Sequence, residues 1–355
     1  MKHFWSLFLF IMLISTACRQ QNENRADGKT KQAANTGITD TGTVKSNNPL
    51  PSWRDTEAKN RITAFVKSAV NPEDSGYIPP QKRIVTIDND GTLWPEKPTY
   101  FQIEFILYRI RRLYPSHPEW KKNKLIKAAM KHDLTTLRKK YGAKGLGKLM
   151  TIAQSGMTTE KYKEIVLKWI NTAKHPKTGK LYTDMVYQPM LELIKYLQDN
   201  DFKVYIVSGG GVDFIRAWGE KVYGIPCENF LGSLQILDYE KRGGKPVLIR
   251  TSNSMFVNNS ANKAVLIHQI IGLKPVMAIG NSDKDIEMME WSASNTYNSF
   301  QIFIHHTDSE REWAYDRGEG TGHLNRGIDI AKKRQWLLVD MKNDWSVIYK
   351  ENTNQ

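Results

Sequence analysis

The chain has 355 residues and a net charge of +14, with 51 Lys plus Arg against 37 Asp plus Glu. That length suffices for a core domain and a smaller one. Only one of its two cysteines, Cys227, lies in the body of the chain, which excludes a disulfide framework there.

Lys2 precedes an apolar run from Phe4 to Ile14, interrupted only by Ser6. The run is too short to span a bilayer and reads as a signal peptide over residues 1–17. Ser15-Thr16-Ala17-Cys18 resembles a bacterial lipobox, with Ser15 where Leu is usual. The resemblance implies a lipid on Cys18 and a place in the cell envelope, on the periplasmic or extracellular face. An ordinary cleavable signal is the alternative. Residues 18–51 are polar and nearly free of apolar side chains, so they predict a disordered tether.

Ile62, Phe65, Val66, Ala69 and Val70 recur at helical spacing within 52–70, and Asn71-Pro72 ends that helix. Ile84, Val85 and Ile87 predict a buried strand. Asp88-Asn89-Asp90-Gly91-Thr92 follows it. Two carboxylates at one strand end repel unless a cation or a shared proton compensates. A hard cation such as Mg²⁺ suits them, and one carboxylate could attack phosphorus while the other moves protons. A calcium loop fails, because its position twelve would be Lys97 rather than Glu.

Residues 100–175 carry helical patterns only: about 101–113, 119–141, 146–156 and 159–173. This block holds 17 Lys plus Arg against 5 Asp plus Glu, a difference of +12. Such a face is a solvated surface, a steering field for anionic substrates or a contact for anionic lipid. No nucleic-acid module is recognisable, so nucleic acid is not an expected partner.

Strands and helices then alternate. A helix is expected over 190–197 and a strand over 204–207. A hairpin of 231–237 with 247–249 should turn at Gly243-Gly244. A helix over 262–273 and strands at 276–279 and 300–304 complete the pattern. The alternation predicts an α/β class fold with a doubly wound, mainly parallel sheet. The core should comprise 52–99 and 176–350.

Ser208 ends a strand and precedes Gly209-Gly210-Gly211, which can offer a hydroxyl and bare N–H groups to a phosphate. Lys263 sits in the first turn of its helix, where a cation opposes the dipole. Lys274, beyond the helix end, is its rival. Asn281, Asp283 and Asp285 follow the strand at 276–279. His305 and His306 end the strand at 300–304, and Trp94 follows the first acidic cluster. Each can face a site or simply pack.

In order and spacing these segments resemble the four motifs of the haloacid dehalogenase superfamily, in its phosphatase branch. Asp88 to Thr92 resembles D-x-D-G-T, and Gly280 to Asp285 resembles G-D-x-x-x-D with Asn281 in place of the first acid. The inserted helical block matches the cap of phosphoserine-phosphatase-like members. Lys342-Asn343-Asp344-Trp345 adds a likeness to a bacterial subgroup of such hydrolases. The resemblance implies a Rossmannoid core and a small phosphomonoester substrate. It makes Asp88 the nucleophile, Asp90 the acid and base, Ser208 the hydrogen-bond donor to the phosphoryl group and Lys263 the neutralising cation. It implies Mg²⁺ held by Asp88, Asp90, Asn281 and Asp285, with Asp283 an alternative third ligand. Dehalogenases proper lack the second carboxylate, so Asp90 favours phosphoryl chemistry. A phosphomutase uses the same acids, and a non-catalytic lipoprotein binding anionic polymer or lipid through the basic block is the rival from another class.

Overall fold

The computed structural model describes residues 48–253, 255–318 and 320–350. The apolar run, Cys18 and most of the tether lie outside them. Leu50 is fully buried, so the folded body reaches two residues into the segment expected to be tether. Among the described residues no helix is long and apolar enough to cross a membrane.

The architecture is α/β. Seven strands form one sheet in the order β3-β2-β1-β6-β7-β8, with β9 also on β7. They are β1 Ile84–Ile87, β2 Lys203–Gly211, β3 Phe230–Ser233, β6 Met277–Gly280, β7 Phe300–Thr307, β8 Ala314–Tyr315 and β9 Leu337–Asp340. All pairs are parallel except β7 with β8. β1 and β6 are fully buried, as the unbroken apolar runs require. Chain order reverses on either side of β1, so the crevice at its C-terminal end is the topological switch point. Register brings three loops there: Ile87 lies level with Ile206 on one side and Ile279 on the other.

Three expectations change. The expected strand over 231–237 is two strands. Phe230–Ser233 joins the main sheet, and β4 (Leu237–Arg242) pairs with β5 (Lys245–Arg250) in a separate hairpin. Gly243 and Gly244 both take positive φ, +57° and +78°, as the mirror-image two-residue turn demands. The expected helix 119–141 is broken. Asn123 caps a helix over Lys124–Met130, His132 takes φ +54° and Asp133 accepts from Thr136 N to start again. Finally, β9 and the helix Arg326–Arg334 were not expected. The Leu337-Leu338-Val339 triplet was the available signal.

Helices alone occupy the chain from Phe101 to Ile170. They divide between two cores. Ile103, Ile106, Leu107, Ile110, Leu125, Ile126 and Leu149 cluster by themselves. Tyr162, Val166, Trp169 and Ile170 pack with the main core instead. The independently packed part of the block is thus shorter than 100–175. Gly156 N donates to Arg250 O and Arg250 N to Met157 O, which pins the link between the helices Gly142–Gln154 and Thr159–Ile170 to the hairpin.

Candidate active site

β1 stops where its apolar run stops, and Asp88 emerges beside β6, its N–H on Ile279 O at 2.9 Å. Gly91 reverses the chain with φ +81°. A side chain there would meet Asn281 Nδ2 at 2.1 Å, so glycine is required for space as well as conformation. Trp94 is buried, stacked on Trp218 at 4.4 Å and edge-on to Phe101 at 4.6 Å. Its indole N–H donates to Asp90 Oδ1 at 2.8 Å. Trp94 therefore packs and also orients an acid of the site.

Lys263 lies fully buried in the helix Ala261–Ile271. Its ammonium donates to Asp88 Oδ1 at 2.5 Å and Asp285 Oδ1 at 2.6 Å. The other oxygen of Asp285 accepts from Asn281 N, Ser282 N and Ser282 Oγ. Lys274 is elsewhere, donating to Ser294 O across the Trp291 ring.

A cavity of about 110 Å³ opens over these groups, lined by Asp88, Asp90, Gly209, Gly210, Lys263 and Asp285 among others. Ser208 is fully buried behind the glycines and its Oγ accepts from Gly210 N at 2.9 Å. A Cβ on Gly209 would meet Asn259 Oδ1 at 2.2 Å, so a larger residue there would have to displace the Asn259 side chain. Tyr100, Gln102, Ile103 and Met150 from the helical block close the other side.

Asp283 does not join. Its carboxylate accepts from Arg326 N and Gly327 N and starts the helix Arg326–Arg334. Asn281 does not line the cavity: its Oδ1 accepts from Thr92 Oγ1 at 3.1 Å and its Nδ2 donates to Glu96 Oε1 at 2.7 Å. Of the three candidate third ligands, only Asp285 lines the cavity.

Buried negative charge exceeds positive charge here. Burial first, then Asp285, pushes the Asp88 carboxyl up to about 8, against the pull of Lys263. Burial also raises Asp90, against the Trp94 hydrogen bond and Lys263. For Lys263 burial would lower the pKa, but Asp285 and Asp88 outweigh it and the ammonium stays charged. A site whose carboxylates, Asp88, Asp90, Glu96 and Asp285, outnumber its two ammoniums, Lys263 and Lys284, suits a hard cation. Among the described residues no three His, Cys, Asp or Glu side chains form a ready cage. Magnesium needs only one or two carboxylates when a phosphate supplies further oxygens.

Two carboxylates were missed by sequence reasoning. Glu96 is buried, lines the cavity and accepts from Tyr315 OH at 2.8 Å as well as from Asn281. Burial raises it to about 7. Glu312 holds His306. The His306 Nε2 meets Gly91 O at 2.7 Å and Nδ1 meets Glu312 Oε2 at 3.1 Å. Glu312 also accepts from Tyr187 OH and Trp313 N, so all its other partners are donors. An imidazole between two acceptors must carry both protons. His306 is therefore an imidazolium that clamps the Asp90-Gly91 turn, while His305 pairs outside with Asp316. Burial would lower His306, yet Glu312 raises it above 6.5. Its contribution to stability should be full below pH 6.5 and lost as pH rises through the raised value. Nitrogen NMR should find both ring nitrogens protonated at pH 7, and His306→Gln should cost about 2–4 kcal/mol in denaturant unfolding. A single protonated nitrogen would contradict this reading.

A family model of haloacid dehalogenase-like hydrolases matches residues 85–290, from β1 through the helix that carries the third acid. The chain belongs to that family. No curated protein matches it. Among solved structures, a conserved functionally unknown protein from Anaerococcus prevotii shares the fold at TM-score 0.52. It is 14% identical over 82% of this chain and 94% of that one. A protein of unknown function from Bordetella pertussis is 13% identical, with 73% and 99% covered and TM-score 0.47. A phosphoserine phosphohydrolase-like protein from Francisella tularensis is 18% identical, with 74% and 95% covered and TM-score 0.40. In this family member the four expected motif residues Asp88, Asp90, Lys263 and Asp285 surround one cavity, with Ser208 immediately behind it.

Proposed function

We propose that this hydrolase is a phosphatase of small phosphomonoesters. The observation that carries the reading is the pairing of Asp88 with a buried Lys263 beside a second acid, Asp90, whose pKa is raised. A binding module has no need of a nucleophile and an acid held this way.

In the first half, an Asp88 carboxylate oxygen attacks phosphorus in line and the phosphorus–oxygen bond to the leaving alcohol breaks. Asp90 gives its proton to that oxygen. In the second half Asp90 takes a proton from water, which attacks the aspartyl phosphate and frees inorganic phosphate and Asp88. Lys263 balances charge on the transferring group, and Gly209 and Gly210 form the wall beside it. Asp88, Asp90 and Asp285 would hold Mg²⁺, which supplies charge neutralisation for the phosphoryl oxygens. The helical block covers the cavity through Ile103 and Met150 and limits the size of the alcohol.

The basic block suggests a supporting role. A groove of about 450 Å³ on it is lined by Lys124, Lys140, Lys144 and Lys148, suited to steering anions toward the molecule. The N-terminal sequence supports a lipid anchor at Cys18 and a place in the cell envelope.

The test is phosphate release from p-nitrophenyl phosphate and a panel of small phosphomonoesters, with Mg²⁺ and with chelator. Asp90→Asn should lower turnover on the order of 10²–10⁴-fold. Transfer to a second hydroxyl without net release would indicate a mutase. No turnover by folded protein would reject the enzyme.

A further inference from the structure

The family's fourth motif begins with an acid, and here that position is Asn281. The structure supplies a chemical reason. Thr92 Oγ1 can donate and accept, but Glu96 next to the amide only accepts when ionised. The short contact of Asn281 with Glu96 Oε1, 2.7 Å, is therefore made by Nδ2, and Oδ1 is left to Thr92. An Asp at 281 would set a second carboxylate oxygen against the first at that distance, where both cannot ionise. Asn281 and Glu96 are a matched pair.

Glu96 has a built place. It is 2% exposed and Tyr315 OH donates to the same oxygen. Two glycines leave room for that oxygen: a Cβ on Gly91 would lie 2.6 Å from it and one on Gly322 1.7 Å. Glu96 lines the same cavity as Asp88, Asp90 and Asp285. Exchanging the charge between 281 and 96 leaves the net charge of this hydrogen-bonded pair at the cavity wall unchanged.

We propose that Glu96 carries the negative charge of the cation site that Asn281 lacks, so that the acid of the fourth motif has moved to the loop after β1. This rests on the phosphatase reading and on its divalent cation. The consequence is that Glu96→Gln should weaken the cation even though Asn281 is untouched, and that the swap should restore it.

The experiment is calorimetric titration of the full chain with Mn²⁺ alone, without substrate. Glu96→Gln, Asn281→Asp and the double swap are compared, with thermal unfolding of each metal-free protein as a control for folding. Glu96→Gln should weaken Mn²⁺ about tenfold or more. The double swap preserves the hydrogen bond with donor and acceptor reversed. It should return affinity to within about threefold of the unaltered chain, and it serves as the informative variant should Glu96→Gln unfold. Unchanged affinity in Glu96→Gln, or a double swap as weak as its weaker parent, overturns the assignment. Turnover of p-nitrophenyl phosphate by the unaltered chain is measured in parallel. Turnover with a Glu96→Gln protein that binds Mn²⁺ normally discards Glu96 and keeps the phosphatase. Absence of both turnover and Mn²⁺ binding discards both.

Discussion

Replacing Asp88 with Asn should abolish phosphate release, by on the order of 10⁴-fold or more, and at the same time stabilise the metal-free protein at alkaline pH. The first effect follows from removing the attacking oxygen. The second follows from burial. Asp88 is 6% exposed and stands beside Asp285 and Asp90, which raises its carboxyl to about 8. An unfolded Asp titrates near 3.8. Between those values the folded chain holds a proton that the unfolded chain has released, so stability falls as pH rises through that window. Asn cannot lose a proton, and the variant escapes the fall. Denaturant unfolding with chelator at pH 5.5 and pH 8.5 checks this. The variant should gain on the unaltered chain by about 1–3 kcal/mol between the two. A gap that does not widen with pH would mean that Asp88 stays ionised beside Lys263 throughout. Divalent cation should narrow the gap, because it stabilises the ionised carboxylate of the unaltered chain.

Lys263→Ala should be the most destabilising single change at the site. Lys263 is 1% exposed and donates to two carboxylates, themselves 6% and 0% exposed. Removing one partner of a buried ion pair leaves uncompensated charge and costs about 3–5 kcal/mol. Here the loss has a definite pH dependence. Without the ammonium, the Asp88 carboxyl, raised to about 8 against the pull of Lys263, is raised further. The variant should therefore recover relative to the unaltered chain as pH falls through about 8, below which Asp88 is neutral in both. Lys263→Met restores packing but not charge, so it should show the same recovery from a higher baseline. A destabilisation independent of pH would point to lost packing alone. Lys274→Ala is the control: that side chain reaches Ser294 O at the surface and should leave both turnover and stability nearly unchanged.

The expected site survives in part because its signals are local. Asp88 leaves β1 at the point where an unbroken apolar run ends, and Lys263 stands in a helical turn where a cation has no local reason to be. Such features need no knowledge of distant residues. Asp283 could not be separated from Asp285 in this way. Both are acids after one strand, and only the arrival of Arg326 and Gly327, some forty residues later, turns Asp283 into a helix cap. Asn281 reads as a defect until Glu96 is seen against it. His306 was indistinguishable from His305, because alternation along β7 gives no hint of which face meets Glu312 and the Gly91 carbonyl.

By itself the sequence determined the α/β class, the strand that ends at Asp88, the loops that return to it and the helical character of the insertion. Each is written in apolar periodicity and in turn residues, which act over a few positions. The tertiary structure alone decided the strand order, the division of the helical block between two cores, the splitting of the 231–237 segment and the roles of Glu96, Asp283 and His306. Those depend on which partners long-range packing brings within hydrogen-bond reach, and a buried polar group is defined by its partner far more than by its neighbours in the chain.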